Sequence, residues 1–325
     1  MKKAIIFLLL IVIVLVGFLT FKSKEGVSTQ VDEKPRIAVS TFAMYDIVKH
    51  IVDERVELFM VVPFGTDLHS FEPTPKDLVR LSKSKLFIYS GAGLEPWSDA
   101  FAESTETLNI SKFVKLRHLE DEDEMAHPEE EAQHADDTEH DEHEEEHHHE
   151  GVDPHYWLDS ANMIRATEVI KERLSQLIPE GAEEFQRNSE KYIAQLHKLD
   201  NRYKRELSSC KQSMIVVNHN AFGYLAERYG FKVTALTGLS PESMPSAKRM
   251  AQLSDLVKSH HLKTVFFESF VSDRLIKEIA NETGAKVQTL QPLGNITADE
   301  AEQNMNYIEL MERNLDKLKA AMECA

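Results

Sequence analysis

Ala182 to Ser209 reads AEEFQRNSEKYIAQLHKLDNRYKRELSS. Phe185, Tyr192, Leu196, Leu199, Tyr203 and Leu207 recur at steps of three, four or seven, with no Gly or Pro among them. That spacing predicts one helix with a single apolar stripe. At 1.5 Å per residue it is about 40 Å long, enough to run the length of two small lobes as a stiff connector. On the amino-terminal side, short apolar strands alternate with helices: RIAVST (36–41), FAMYDIVKHIVD (42–53), VELFMVV (56–62), PKDLVRLSKS (75–84) and KLFIYS (85–90). On the carboxyl-terminal side the same grammar returns. SMIVVN (213–218), 232–236, TVFFE (264–268) and KVQTL (286–290) read as strands, and 221–229, 246–259, 272–283 and 298–322 read as helices. Gly230 and Gly284 stand where helices should end. Alternating strands and helices imply parallel sheets covered on both faces, so the fold class is α/β, with one unit on each side of a long helix.

The chain has 325 residues, 42% hydrophobic and 28% charged, room for about two domains. Its formal charge is −18, and that charge is concentrated. Between His118 and Glu150 lie 17 Asp and Glu, 8 His and no Lys or Arg, which leaves 38 acids against 37 bases, a net −1, elsewhere. No cationic excess is available to displace phosphate counterions, so nucleic acid is not expected as a partner. Cys210 and Cys324 are too few for a cysteine metal cluster and are either two buried thiols or one disulfide. Lys2 and Lys3 precede an uncharged run from Ala4 to Thr20. A basic start before an apolar stretch is an export signal. It is either cleaved near 21–26 or kept as a tether through residues 4–20 that holds the body at the inner membrane, and both place the body outside the cytoplasm.

Seven His lie outside the acidic stretch. His50 and His197 fall inside helices, and His260 and His261 close one; these four read as surface or satisfied side chains. His69 stands in GTDLHSFEPTP (65–75), beyond the second strand; His219 follows SMIVVN directly; His155 lies in VDPHYWLD (152–159), a turn leading into a helix. Ligands of open α/β sheets bind at the carboxyl ends of strands. Three imidazoles converging there would suit zinc and leave a fourth position open.

These segments, together with NHNAFGYLAERYG (218–230), FFES (266–269) and LQPLG (290–294), resemble the periplasmic zinc- and manganese-binding proteins of bacterial ABC importers, ZnuA type. The resemblance runs from about Arg36 to the end. It implies two α/β lobes joined by one rigid long helix, with a metal ion held between them by His69, His155 and His219, in a monomer that delivers it to a membrane permease and its ATPase. The corresponding division is 1–33 for export or anchoring, 34–117 and 151–180 for the first lobe, 118–150 for an unstructured insertion, 181–210 for the connecting helix and 211–325 for the second lobe. Many members supply a carboxylate from the loop after the last strand. Here that loop, Gln291 to Asn295, has none. Manganese prefers hard oxygen, so the missing acid favours Zn2+ over a manganese- or iron-binding member. The fourth ligand is then water, a group from the acidic segment or Glu268, although Glu268 reads better as a hydrogen-bonding partner at a strand end. Asp153 or Asp159 is expected to orient a ligand His.

Two other classes compete. A zinc hydrolase also uses three His with an open position, but the H-E-x-x-H present, His143 to His147, lies in the acidic segment apart from His69, His155 and His219, and no general base is evident beside those three, so no catalytic residue is assigned. A surface adhesin stabilised by metal is the third. Cys210 precedes the first strand of the second lobe and Cys324 ends its last helix, so the two could pair at its base. The acidic segment holds its His as His140, His143 and His147 to His149 and reads as a low-affinity collector of zinc. Deleting 118–150 should therefore lower the zinc stoichiometry measured by isothermal titration; an unchanged stoichiometry rejects the collector.

Overall fold

The computed structural model describes residues 34–52, 54–101, 104–118, 151–239, 244–270 and 272–325. The expected export segment, and the acidic segment beyond His118, lie outside these residues. In the first half, β1 (Arg36–Val39), β2 (Glu57–Met60), β3 (Leu86–Tyr89) and β4 (Thr107–Asn109) form one parallel sheet in the order β2-β1-β3-β4. Ala38 of β1 lies between Phe59 and Phe87, and Ile88 pairs with Leu108. Helix α1 (Phe42–Ile51) covers this sheet, and α2 (Pro75–Leu81) begins with a capping box between Thr74 and Asp77. A short antiparallel hairpin follows, β5 (Arg117–His118) against β6 (Val152–Asp153), with Arg117 opposite Asp153. His118 is thus part of a strand, one residue inside the boundary expected for the insertion. After the hairpin, α3 (Ser160–Leu177) leads to α4.

Helix α4 (Ala182–Glu206) is the predicted connector, three residues shorter than its apolar pattern and about 38 Å long. Glu183 and Glu184 in its first turn and Lys204 and Arg205 in its last complement the helix dipole. Phe185, Tyr192, Leu196, Leu199 and Tyr203 are buried on one face and join a core cluster that draws on both halves of the chain. The polar tips of that stripe fasten the halves separately. Tyr192 Oη donates to Asp46 of α1 at 2.8 Å, and Asn188 Nδ2 to the Ile51 carbonyl at 3.1 Å. Further along, Tyr203 Oη donates to the Met311 carbonyl at 2.6 Å, and Asp200 accepts from Arg228 at 2.7 Å.

The second half contains β7 (Met214–His219) parallel to β8 (Lys232–Thr237), and β9 (Thr264–Phe267) parallel to β10 (Lys286–Thr289). Helices α5 (Gly223–Tyr229), α6 (Ala247–Ser259) and α7 (Arg274–Thr283) connect them. Gly230 and Gly284 end α5 and α7 in the left-handed region, as expected. The helix expected over 298–322 is instead two: α8 (Ala298–Glu302) and α9 (Tyr307–Met322). Asn306 explains the break. Its side chain accepts from Glu309 N and its own N–H donates to Glu309, a capping box that starts a new helix, while Asn304 turns the chain at φ 53°. Cys210 and Cys324 form a disulfide across 114 residues, closing the second half.

A cross-link over so long a loop acts mainly by restricting the unfolded chain. Replacing both cysteines by Ser should lower the unfolding free energy by about 2–5 kcal/mol. Urea titration of the oxidised protein against the double variant measures it, and superimposable curves would show that the cross-link contributes nothing.

Candidate metal centre

His69, His155 and His219 come from three separate elements. His69 sits in the long loop between β2 and α2, nine residues past the strand. His155 follows β6 and precedes a single 3-10 turn, Tyr156–Leu158. His219 is the last residue of β7. Each offers a nitrogen, and the three nitrogens lie within 4.8 Å of one another. Ring centroids are 5.4 Å apart for His69 and His155, 5.5 Å for His69 and His219, and 5.2 Å for His155 and His219. His155 Nε2 and His219 Nε2 approach to 3.4 Å. His155 is 2% exposed and His219 1%, whereas His69 is half-buried at the rim.

Carboxylates behind two of the rings set their orientation. Asp153 Oδ1 receives His155 Nδ1 at 2.9 Å and the His155 backbone N–H at 3.0 Å, which turns Nε2 inward. Asp153 is fully buried and is itself held: its Oδ2 accepts from Arg117 at 2.9 Å, and Arg117 also donates to Glu227 of α5 at 2.9 Å. Gly223 leaves room for this guanidinium, since a Cβ there would come within 1.7 Å of Arg117 Nη1. Tyr224 Oη closes the arrangement by accepting from Arg117 N and donating to the Asp153 carbonyl. Glu268, just past β9 and 3% exposed, presses Oε1 against His219 Nδ1. Of the two acids expected to orient one of the three His, Asp153 holds His155. Asp159 does not: it caps α3 at Ala161 N and pairs with Arg228.

The three His line a cavity of about 20 Å³ together with Asp67, Trp157, Glu268 and Asn295. That is space for roughly one water-sized group. Burial, and after it the positive charge His155 and His219 would carry, pushes the His69 imidazole down to about 2, so it is neutral at ordinary pH with a lone pair to give. The floor of the cavity is the loop after β10. Gly294 lies there because a Cβ would meet Leu68 at 2.5 Å and Trp157 at 3.0 Å. Asn295 Nδ2 donates to the Pro63 and Thr66 carbonyls at 2.8 and 2.7 Å, fixing the loop that carries His69, and Trp157 Nε1 donates to the Pro292 carbonyl at 2.7 Å. As the sequence implied, this loop sends no carboxylate into the cavity. His50, His197, His260 and His261 lie elsewhere: His50 bonds Asp46 and stacks on Tyr192. Arg117, Trp157 and Asn295 escaped the sequence reading. What matters at each is a partner brought in from a distant segment, and no local pattern signals that.

The family description "Zinc-uptake complex component A periplasmic" (ZnuA) matches residues 37–321. The high-affinity zinc uptake system protein ZnuA of Bacillus subtilis (strain 168) is 32% identical over 305 residues, covering 92% of this chain and 91% of that protein. The zinc-binding lipoprotein AdcA of Streptococcus pneumoniae (strain R6) is 34% identical over 297 residues, which span 89% of this chain but only 56% of that protein. Among solved structures, the Zn(II)-bound ZnuA-like domain of Streptococcus pneumoniae AdcA superposes with a TM-score of 0.71 at 28% identity, covering 89% of this chain and 99% of that one.

The ion pair behind His155 has one buried and one exposed carboxylate. Asp153→Ala should destabilise the metal-free protein by about 3–5 kcal/mol, because it takes the fully buried carboxylate from a guanidinium whose side chain is 11% exposed and leaves it the half-exposed Glu227. Glu227→Gln, at a half-exposed position, should change stability by less than about 1 kcal/mol. Chemical denaturation of the two variants decides it, and equal losses would contradict this division.

Proposed function

The chain belongs to the ZnuA family, and on that premise we propose that it captures Zn2+ outside the cytoplasm through His69, His155 and His219 and hands it to a membrane permease driven by an ATPase. The observation that carries the reading is the 3.4 Å between His155 Nε2 and His219 Nε2. Two zinc–nitrogen bonds of about 2.0–2.1 Å at a tetrahedral angle place their nitrogens about 3.3–3.4 Å apart. Two lone pairs aimed at one point repel, and a cation between them removes the repulsion.

The donor set supports zinc over manganese or iron. All three donors are imidazole nitrogens, and the loop from Gln291 to Asn295 supplies no carboxylate oxygen. A water takes the fourth position, as zinc with three protein ligands commonly has, while Glu268 remains the partner of His219 Nδ1. The size of the cavity argues for capture over turnover, because about 20 Å³ accommodates an ion and not an ester or peptide beside it. Export is supported by the family's description as a periplasmic component and by the basic, then apolar, start of the chain. Among the described residues no helix is long and apolar enough to cross a membrane. Handover to the permease rests on membership in a zinc-uptake family.

Competitive titration against a zinc chelator tests the site. Replacing all three His by Ala should abolish tight 1:1 binding, and Glu268→Gln should weaken it by about 10–100-fold. Tight binding that survives the triple replacement removes these residues from the site. Handover is tested separately: a strain lacking the chain should grow poorly under zinc chelation and recover with wild type but not with the triple variant.

A further inference from the structure

Behind the metal cavity lies a second, larger one, about 140 Å³. The two share walls. Glu268 and Phe270 face the metal cavity and Ser269 between them faces the other; Pro292 lines the first and Gln291 the second. The remaining wall is Glu300 of α8 with Arg313, Asn314 and Lys317 of α9.

The polar groups here are unequally satisfied. Gln291 is 4% exposed and its amide is oriented by Glu300, to which Nε2 donates at 2.7 Å. Its backbone is also occupied, giving to Asn314 Oδ1 at 2.9 Å and accepting from Asn314 Nδ2 at 2.7 Å. Gln291 Oε1, however, has no partner. A buried acceptor without a donor is unfavourable by about 1–3 kcal/mol, so the cavity wants a donor at that point. Flipping the amide is no remedy, because it would set Oε1 against the Glu300 carboxylate. Glu300 is itself saturated, accepting from Gln291, Arg313, Thr297 N and Thr297 Oγ1. It has little left to attract a cation.

The charge balance runs the other way. Arg313 and Lys317 stand one turn apart on α9, a spacing at which like charges repel. Lys317 is half-buried and its ammonium donates to the Thr289 carbonyl at 2.7 Å, leaving two N–H groups; among the described residues no carboxylate forms an ion pair with it. Burial first and then Arg313 push its pKa down. Two cations thus face one carboxylate that is already spent.

We propose that this cavity binds a small oxyanion that also carries a hydroxyl, its charge held by Lys317 and Arg313 and its hydroxyl donating to Gln291 Oε1. Hydrogen phosphate, hydrogencarbonate and short hydroxycarboxylates share this chemistry. The volume is roughly ten times the about 10–15 Å³ that one water requires, so it accepts several non-hydrogen atoms.

Isothermal titration of the full chain in chloride buffer tests the site, with inorganic phosphate, hydrogencarbonate and lactate as probes and acetate as the probe without a hydroxyl. At least one hydroxyl-bearing anion should bind 1:1 and outcompete acetate. Lys317→Met should weaken it about tenfold or more, the size expected for a charge-assisted hydrogen bond. Gln291→Met should bring lactate down to the level of acetate. Melting curves check that each variant is folded, and Arg313→Gln replaces Lys317→Met if that variant is not. No saturable binding at millimolar probe, or binding indifferent to both cation replacements, overturns the proposal. Which probe binds tightest separates an inorganic from an organic source.

Discussion

Three imidazoles do not rest against one another unless something else holds them there. His69, His155 and His219 are within nitrogen-to-nitrogen reach, two of them almost fully buried, and none gains by facing another lone pair. The contact persists because each ring is braced from behind: His155 by Asp153, Asp153 by Arg117, His219 by Glu268, and the His69 loop by Asn295. Much of the polar architecture around the cavity serves that bracing. Side chains assembled in advance need no further ordering when a solute arrives, which removes one of the costs of binding.

The braces span segments far apart in the chain, so they work only if the two halves keep their places. Helix α4 supplies that constancy. Its apolar face is shared by a core drawing on both halves, and its two ends are hydrogen-bonded to different ones. The loop after β10 adds a second strap: Gly294 O accepts from Phe42 N, and Ile296 O from Gly65 N, so the floor of the cavity is hydrogen-bonded to the first half. The disulfide ties down the far end of the second.

Most of this plan was legible in the sequence because it is written in periodicity. The stripe of α4, the β-branched strands and the glycines at 230 and 284 are local signals, and the strands fall within a residue or two of their patterns. The three His were legible because each stands near a strand or turn end with a distinctive neighbourhood. Errors arose where a local signal was overlooked or where none exists. Asn306 and Glu309 form a capping box in plain view, and the break before α9 follows from it. Strand β4 is three residues long and only half-buried, too short to show a period. Arg117 and Trp157 matter through partners more than 35 residues away, at Asp153 and Pro292, which no window along the chain contains. Between Asp153 and Asp159, both near His155, the choice depended on a ring orientation that spacing does not specify.

The hairpin that carries Arg117 opposite Asp153 has a consequence for how such a chain can change over time. The two residues bracket the acidic segment and are locked to each other by register and by charge. Everything between them therefore starts and ends at a closed joint. Closing a longer loop across that joint adds only about 0.6 kcal/mol per doubling of its length. A change in the number of residues between Arg117 and Asp153 thus costs little in closure entropy, provided that the hairpin itself is kept.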